Sequence, residues 1–159
     1  MSRLSLLVMA LAMTLAMTLA SPNGVLGADP VPDPSLAPEQ VVEIQLEALR
    51  RNDEPEKDAG IGQTWVFAHP NNKRITGPLE RFAAMIRSPA YRMLVDHRAH
   101  TVEPVAINEE TAMFAVTVVP ASGPVVFYTW RLEKVRNGSL AGSWMTIAVS
   151  APLRRGDSI

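Results

Sequence analysis

The chain has 159 residues, with 15 basic against 16 acidic side chains and a net charge of −1. So balanced a chain lacks the basic footprint of a general nucleic-acid binder, and no nucleic-acid partner is expected. With no cysteine, disulfides, thiolate metal ligands and cysteine nucleophiles are excluded. A body of about 120 residues must then hold together by packing one core.

Met1–Ala20 places one base, Arg3, before an uncharged run of Leu, Met and Ala. This is the order of a secretory signal segment, and residues 1–28 are expected to be removed on export to the periplasm or outside the cell. Cleavage after Ala20 and cleavage near Ala28 are both compatible with the small residues there. The rival reading is an uncleaved anchor, and a membrane partner is expected only in that case; the run is shorter than the roughly 20 residues that span a bilayer. Residues 29–37 read as a proline-rich linker.

The domain is expected over 38–151, with a C-terminal tail at 152–159. Pro38-Glu39-Gln40 opens a helix in which Val42, Leu46 and Leu49 recur at helical spacing, ending near Asn52. A short second helix is expected from Asp58 through Trp65 to Phe67. His69-Pro70-Asn71-Asn72 reads as a turn, and Thr76-Gly77-Pro78 as the start of a helix with Leu79, Phe82, Ala83 and Ile86 on its apolar face. Tyr91–Val95 forms a further short turn or helix.

From His97 the hydrophobic period moves toward two. Strands are expected at 97–106, 111–119, 125–135 and 142–150, with turns at Asn108–Glu110, Ala121–Pro124 and Asn137-Gly138. A two-residue turn at Asn137-Gly138 sets Trp130 opposite Met145 and Tyr128 opposite Ile147. Val126, Tyr128, Trp130 and Leu132 with Met145, Ile147 and Val149 then form the core face. Phe127, Thr129 and Arg131 with Trp144, Thr146 and Ala148 form an outer face. Helices followed by strands give an α+β fold, N-terminal helices packed on a curved antiparallel sheet of about four strands.

Several segments, in order, resemble one family: Ala48–Pro55, Asp58–Ile61, Phe67–Asn71, Thr76–Phe82, Pro89–Tyr91 and Gly142–Thr146. It is a domain of unknown function found in bacteria and plants, and it is similar to the superfamily with a cystatin-like, nuclear-transport-factor-type cone. The resemblance implies helices cradled by a bent sheet with a cavity between them, and it implies no activity. It also leads one to expect an acid where Ile147 stands. Members of the superfamily include isomerases, dehydratases and hydrolases using Asp and His inside the cavity, and non-enzymatic binders.

Each candidate residue carries two readings. Asp58, beside Ala59-Gly60, is either a general base in a cavity or a helix cap. His97, on a strand opened by Asp96-His97-Arg98, is either a proton carrier facing a cavity or a structural histidine. Strand alternation puts His97 and His100 on opposite faces and lets Asp96 and Arg98 pair on one. His69 through Arg74 is an anion clamp or a solvated turn. Trp65, Tyr91, Tyr128, Trp130 and Trp144 line an apolar pocket or fill the core. No motif calls for a metal or another cofactor.

Three functional expectations follow. The first is a non-catalytic module for a small apolar ligand or a protein partner, with Trp65, His69, Arg74, Tyr91 and Tyr128 at the ligand. The second is a cofactor-free enzyme using Asp58 and His97. The third is a homodimer formed through an outer sheet face bearing Phe127 and Trp144.

Overall fold

A computed structural model of the chain describes residues 29–154. The expected signal segment and the end of the expected tail lie outside the described residues. Among the described residues no helix is long and apolar enough to cross a membrane.

Helix α1, Pro38–Arg50, begins with proline where the free N–H would be unsatisfied anyway. The Gln40 side chain reaches back to accept from the Ala37 N–H at 2.8 Å. Val41, Val42, Leu46 and Leu49 are buried on one stripe, and Gln45 is buried among them. Complete burial of each aliphatic side chain contributes about 1.5–3 kcal/mol. Glu47 pairs with Arg50 and Arg51 on the outer side, at 2.7 and 2.8 Å.

Helix α2, Ala59–Val66, packs against α1 through Gly60, where an added Cβ would fall 2.0 Å from the Ala48 carbonyl oxygen. Asn52 ties the connection: its carbonyl accepts from Gly60 N–H and its side-chain oxygen from Ile61 N–H. Helix α3, Pro70–Thr76, occupies much of the segment expected to be a turn. His69 precedes it and accepts from Asn71 N–H through Nδ1 at 3.1 Å. A side-chain acceptor followed by proline is a helix start, and this outweighs the turn-like composition of the segment. Helix α4, Leu79–Ile86, follows Pro78 and buries Phe82 and Ile86. A single 3-10 turn covers Arg92–Leu94.

The sheet is antiparallel, in the order β1 (Ala99–Ile107), β2 (Thr111–Val119), β3 (Val126–Lys134), β4 (Trp144–Val149). A two-residue β5, Leu153–Arg154, returns to β3 within what the sequence suggests is a tail. The fold class is α+β, helices before sheet, as expected. The core lies between α1 and the inner sheet face, where Phe114, Val116 and Val118 of β2 join Val126, Tyr128, Trp130 and Leu132 of β3.

Two strand expectations are corrected. β1 starts at Ala99 and not at His97, because Asp96 takes a left-handed conformation (φ 52°) that interrupts the extended chain. The hairpin after β3 is longer than a two-residue turn. Val135 pairs with Ser143 through its N–H, and Gly138 and Gly142 both adopt φ of 84° in the loop between them. Trp130 therefore faces Val149, and Leu132 faces Thr146, in place of the predicted Trp130–Met145 and Tyr128–Ile147 pairs. Ile147 is the unpaired residue of a bulge between the Arg131–Ala148 and Leu132–Thr146 pairs. Trp144 and Thr146 consequently share the inner face with Leu132 and Trp130. Both are buried, as is Met145.

Candidate functional site

The helices and β4 enclose a cavity of about 260 Å³. Leu49 of α1, Phe82, Met85 and Ile86 of α4, and Tyr91 and Leu94 around the 3-10 turn supply apolar walls. The β4 side is Ile147, Ala148 and Val149, and Ile75 of α3, 71 % exposed, sits at the mouth. Among the described residues no charged side chain lines it. Ile147, where the family resemblance leads one to expect an acid, contributes a hydrocarbon surface.

Polar groups do reach the floor, and they are paired with one another. Gln45 Oε1 accepts from Trp130 Nε1 at 3.0 Å and from the Thr146 hydroxyl at 2.6 Å. Trp130 Nε1 also lies 3.1 Å from Thr146 Oγ1. Gln45 Nε2 donates to the Thr64 carbonyl at 3.0 Å, and the Thr64 hydroxyl to the Gly60 carbonyl at 2.9 Å. Asn72 Nδ2 donates to the Thr146 carbonyl at 3.1 Å and Tyr91 to the Val149 carbonyl at 3.1 Å. A buried amide or hydroxyl without a partner costs about 1–3 kcal/mol. A floor satisfied internally is therefore stable when the space above it is apolar.

Of the residues singled out from sequence, Tyr91 and Trp130 line this cavity. Tyr128 is buried in the core beside it and donates to the Ala90 carbonyl at 3.1 Å. Trp65 packs on Phe82, ring centroids 5.0 Å apart, with the Lys73 ammonium 5.4 Å from its ring. His69 is buried and caps α3, and burial lowers its proton affinity below that of an ordinary histidine. Arg74 is exposed and donates to Asn71 Oδ1 at 2.8 Å. These residues do not converge on one anion.

Asp58 and His97 do not meet in the cavity either. Asp58 stands at the N-cap position of α2, but left-handed (φ 64°) and without the side-chain cap bond that position suggests. Its carboxylate instead pairs with Arg87 at the end of α4 and accepts from Asn52 Nδ2 at 3.3 Å. Partial desolvation pushes its pKa up, but hydrogen bonds from Asn52 and Arg87 and the Arg87 charge prevail, holding it below the usual aspartate value. A general base would call for the opposite shift.

His97 precedes β1, so strand alternation does not govern it, and the expected separation from His100 fails. His97 Nε2 lies 2.7 Å from His100 Nδ1, and His100 Nε2 lies 2.9 Å from Glu43 Oε2. Arg98 donates from Nε to the Pro120 carbonyl, not to Asp96. Phe127 is exposed on the open sheet face, next to Leu153 of β5, but Trp144 turns inward and leaves that face. Among the described residues no cluster of three or more acidic or histidine side chains could hold a metal ion.

Sequence reasoning missed Gln45, Thr146 and Asn72. Gln45 carried a readable signal, since a polar residue interrupts the apolar stripe between Val42 and Leu49. Thr146 was hidden by the register error. No curated protein and no solved structure matches the chain. A family model described as a domain of unknown function, DUF4864, matches residues 35–151, from the residues before α1 to the end of β4. The chain belongs to the DUF4864 family of domains of unknown function.

Proposed function

We propose that the domain is an exported, non-catalytic binding module that takes up a small, uncharged, largely apolar ligand between its helices and its sheet. One observation carries this reading: among the described residues no charged side chain lines the cavity of about 260 Å³, and its polar floor is already paired. An apolar protein cavity of about 150 Å³ admits benzene, so this one suits a single substituted ring or a short branched chain. Helices laid against an antiparallel sheet with bulges in β1 and β4 support the cystatin-like, nuclear-transport-factor-type cone as the architecture. The signal-like pattern of Met1–Ala20 supports export.

The test is a thermal-unfolding screen with neutral monocyclic and short aliphatic compounds, each beside a carboxylate analogue of the same shape. A neutral ligand at a hundredfold excess over its Kd stabilises by about 2.7 kcal/mol, and the charged analogue leaves the melting temperature unchanged. Stabilisation by the carboxylates instead of the neutral compounds, or by neither set, would refute the proposal. Export is tested by cell fractionation, with N-terminal sequencing of the protein from each fraction. Recovery of the protein in the cytoplasmic fraction with Met1 retained would overturn it.

A further inference from the structure

Three hydrogen bonds run in series through two histidines where α1, the 3-10 turn and β1 meet. The Leu94 carbonyl lies 2.7 Å from His97 Nδ1, His97 Nε2 lies 2.7 Å from His100 Nδ1, and His100 Nε2 lies 2.9 Å from Glu43 Oε2. Each link needs one proton, and both ends of the series are acceptors, a carbonyl and a carboxylate. Two neutral imidazoles carry one N–H each and so fill two links. The third link requires an additional proton. An imidazole is more basic than a glutamate carboxyl by about 2 pKa units, so the histidine pair takes that proton and Glu43 stays ionised. Within the pair, His97 is 2 % exposed and desolvation lowers its proton affinity, and His100 is the ring in contact with the carboxylate.

We propose that His97 and His100 form a singly protonated latch, neutralised by Glu43, which fastens the 92–94 turn to α1 and β1 and loosens when its proton leaves at rising pH. The charged groups facing the pair come from α1: Glu43 in contact, with Glu47 and Arg50 acting at longer range. β2 offers the apolar Val118 opposite His100, and the 3-10 turn offers the Leu94 carbonyl. Arg92, Asp96 and Arg98 are exposed, Arg98 being turned to Pro120. Leu94 also lines the cavity, so the latch holds one of its walls. The proton count stands whether or not the cavity takes a ligand.

The sign follows from linkage. All three links are made only while the pair carries the additional proton, so the latch is complete when that proton is bound and broken when it leaves. Its contribution is present while the additional proton is held and is lost as rising pH removes it. Loss of that one proton raises the unfolding constant by up to about tenfold per pH unit.

The deciding variant is Glu43→Gln. A glutamine amide can donate to His100 Nε2, so all three links fill with neutral imidazoles and no additional proton is needed. The full chain, wild type and variant, is examined without ligand by nitrogen-15 NMR of the histidine rings near neutral pH. Urea unfolding is followed across the histidine range, from about pH 6 to 9. In the wild type one ring shows both nitrogens protonated, and stability falls as pH rises. In Glu43→Gln both rings are neutral and that slope shrinks; any contribution from His69 cancels in the comparison. Two neutral rings in the wild type near neutrality, or an unchanged protonation state and slope in the variant, would overturn the latch.

Discussion

Gln45 is the hub of the cavity floor, and replacing it should cost far more than replacing its neighbour. In Gln45→Leu the volume is nearly kept, but Thr146 loses the acceptor of its hydroxyl and the Thr64 carbonyl loses its side-chain donor, while Trp130 Nε1 keeps Thr146 Oγ1. Two stranded groups at about 1–3 kcal/mol each, less about 1 kcal/mol from the added apolar surface, give a loss of about 3 kcal/mol. Thr146→Val removes one hydroxyl and strands nothing, because Gln45 Oε1 still accepts from Trp130. Its cost is about 1 kcal/mol, that of one net hydrogen bond. For a domain of this size the two losses correspond to about 10–15 °C and 3–5 °C in Tm. Urea titration followed by tryptophan fluorescence reads both, with unchanged m-values confirming that the same surface unfolds. Equal costs for the two variants would refute the account of a floor organised by Gln45.

Further consequences are open to direct measurement. Gly60→Ala should cost at least about 3 kcal/mol, since its methyl would meet the Ala48 carbonyl and helix backbone cannot yield as a side chain can; urea unfolding that loses less than half of this would contradict the packing. Asp58 has a lowered pKa, so its contribution is present above the ordinary aspartate value near 3.9 and is lost as pH falls through its folded-state titration. Asp58→Asn should therefore flatten the acid limb of stability against pH, and an unchanged limb would show that the Arg87 pair is immaterial. Ile75→Glu, at the exposed mouth, should change stability by less than about 0.5 kcal/mol yet weaken the binding of any neutral ligand found by the thermal screen; full retention of affinity would place the entrance elsewhere.

The parts of this molecule legible in its sequence were those where a period governed several residues at once. Val42, Leu46 and Leu49 announced the buried side of α1, and alternation from Val126 to Leu132 announced the inner face of β3. What failed depended on single residues. Asn137-Gly138 looked like a complete turn, but Gly142, also left-handed, extends the loop, and the Ile147 bulge changes the register again within β4. The longer loop alone exchanged the expected faces of Trp144 and Thr146, and the bulge then restored the expected faces of Ala148 and Val149. Likewise one left-handed residue, Asp96, delayed β1 and allowed His97 to reach His100. The cavity floor combines Gln45 of α1, Thr64 of α2 and Thr146 of β4, whose contacts span 101 positions between Gln45 and Thr146. No local pattern encodes such a meeting.

Thr146 is also where two halves of the chain are sewn together. Its N–H donates to the Phe67 carbonyl at 2.9 Å, and its carbonyl accepts from His69 N–H at 2.8 Å, while its side chain belongs to the cavity floor. One residue thus pins the helical layer to the edge of the sheet. The bulge at Ile147 follows directly on this rivet, so the helical layer grips β4 at the last residue whose pairing with β3 keeps the register of the hairpin.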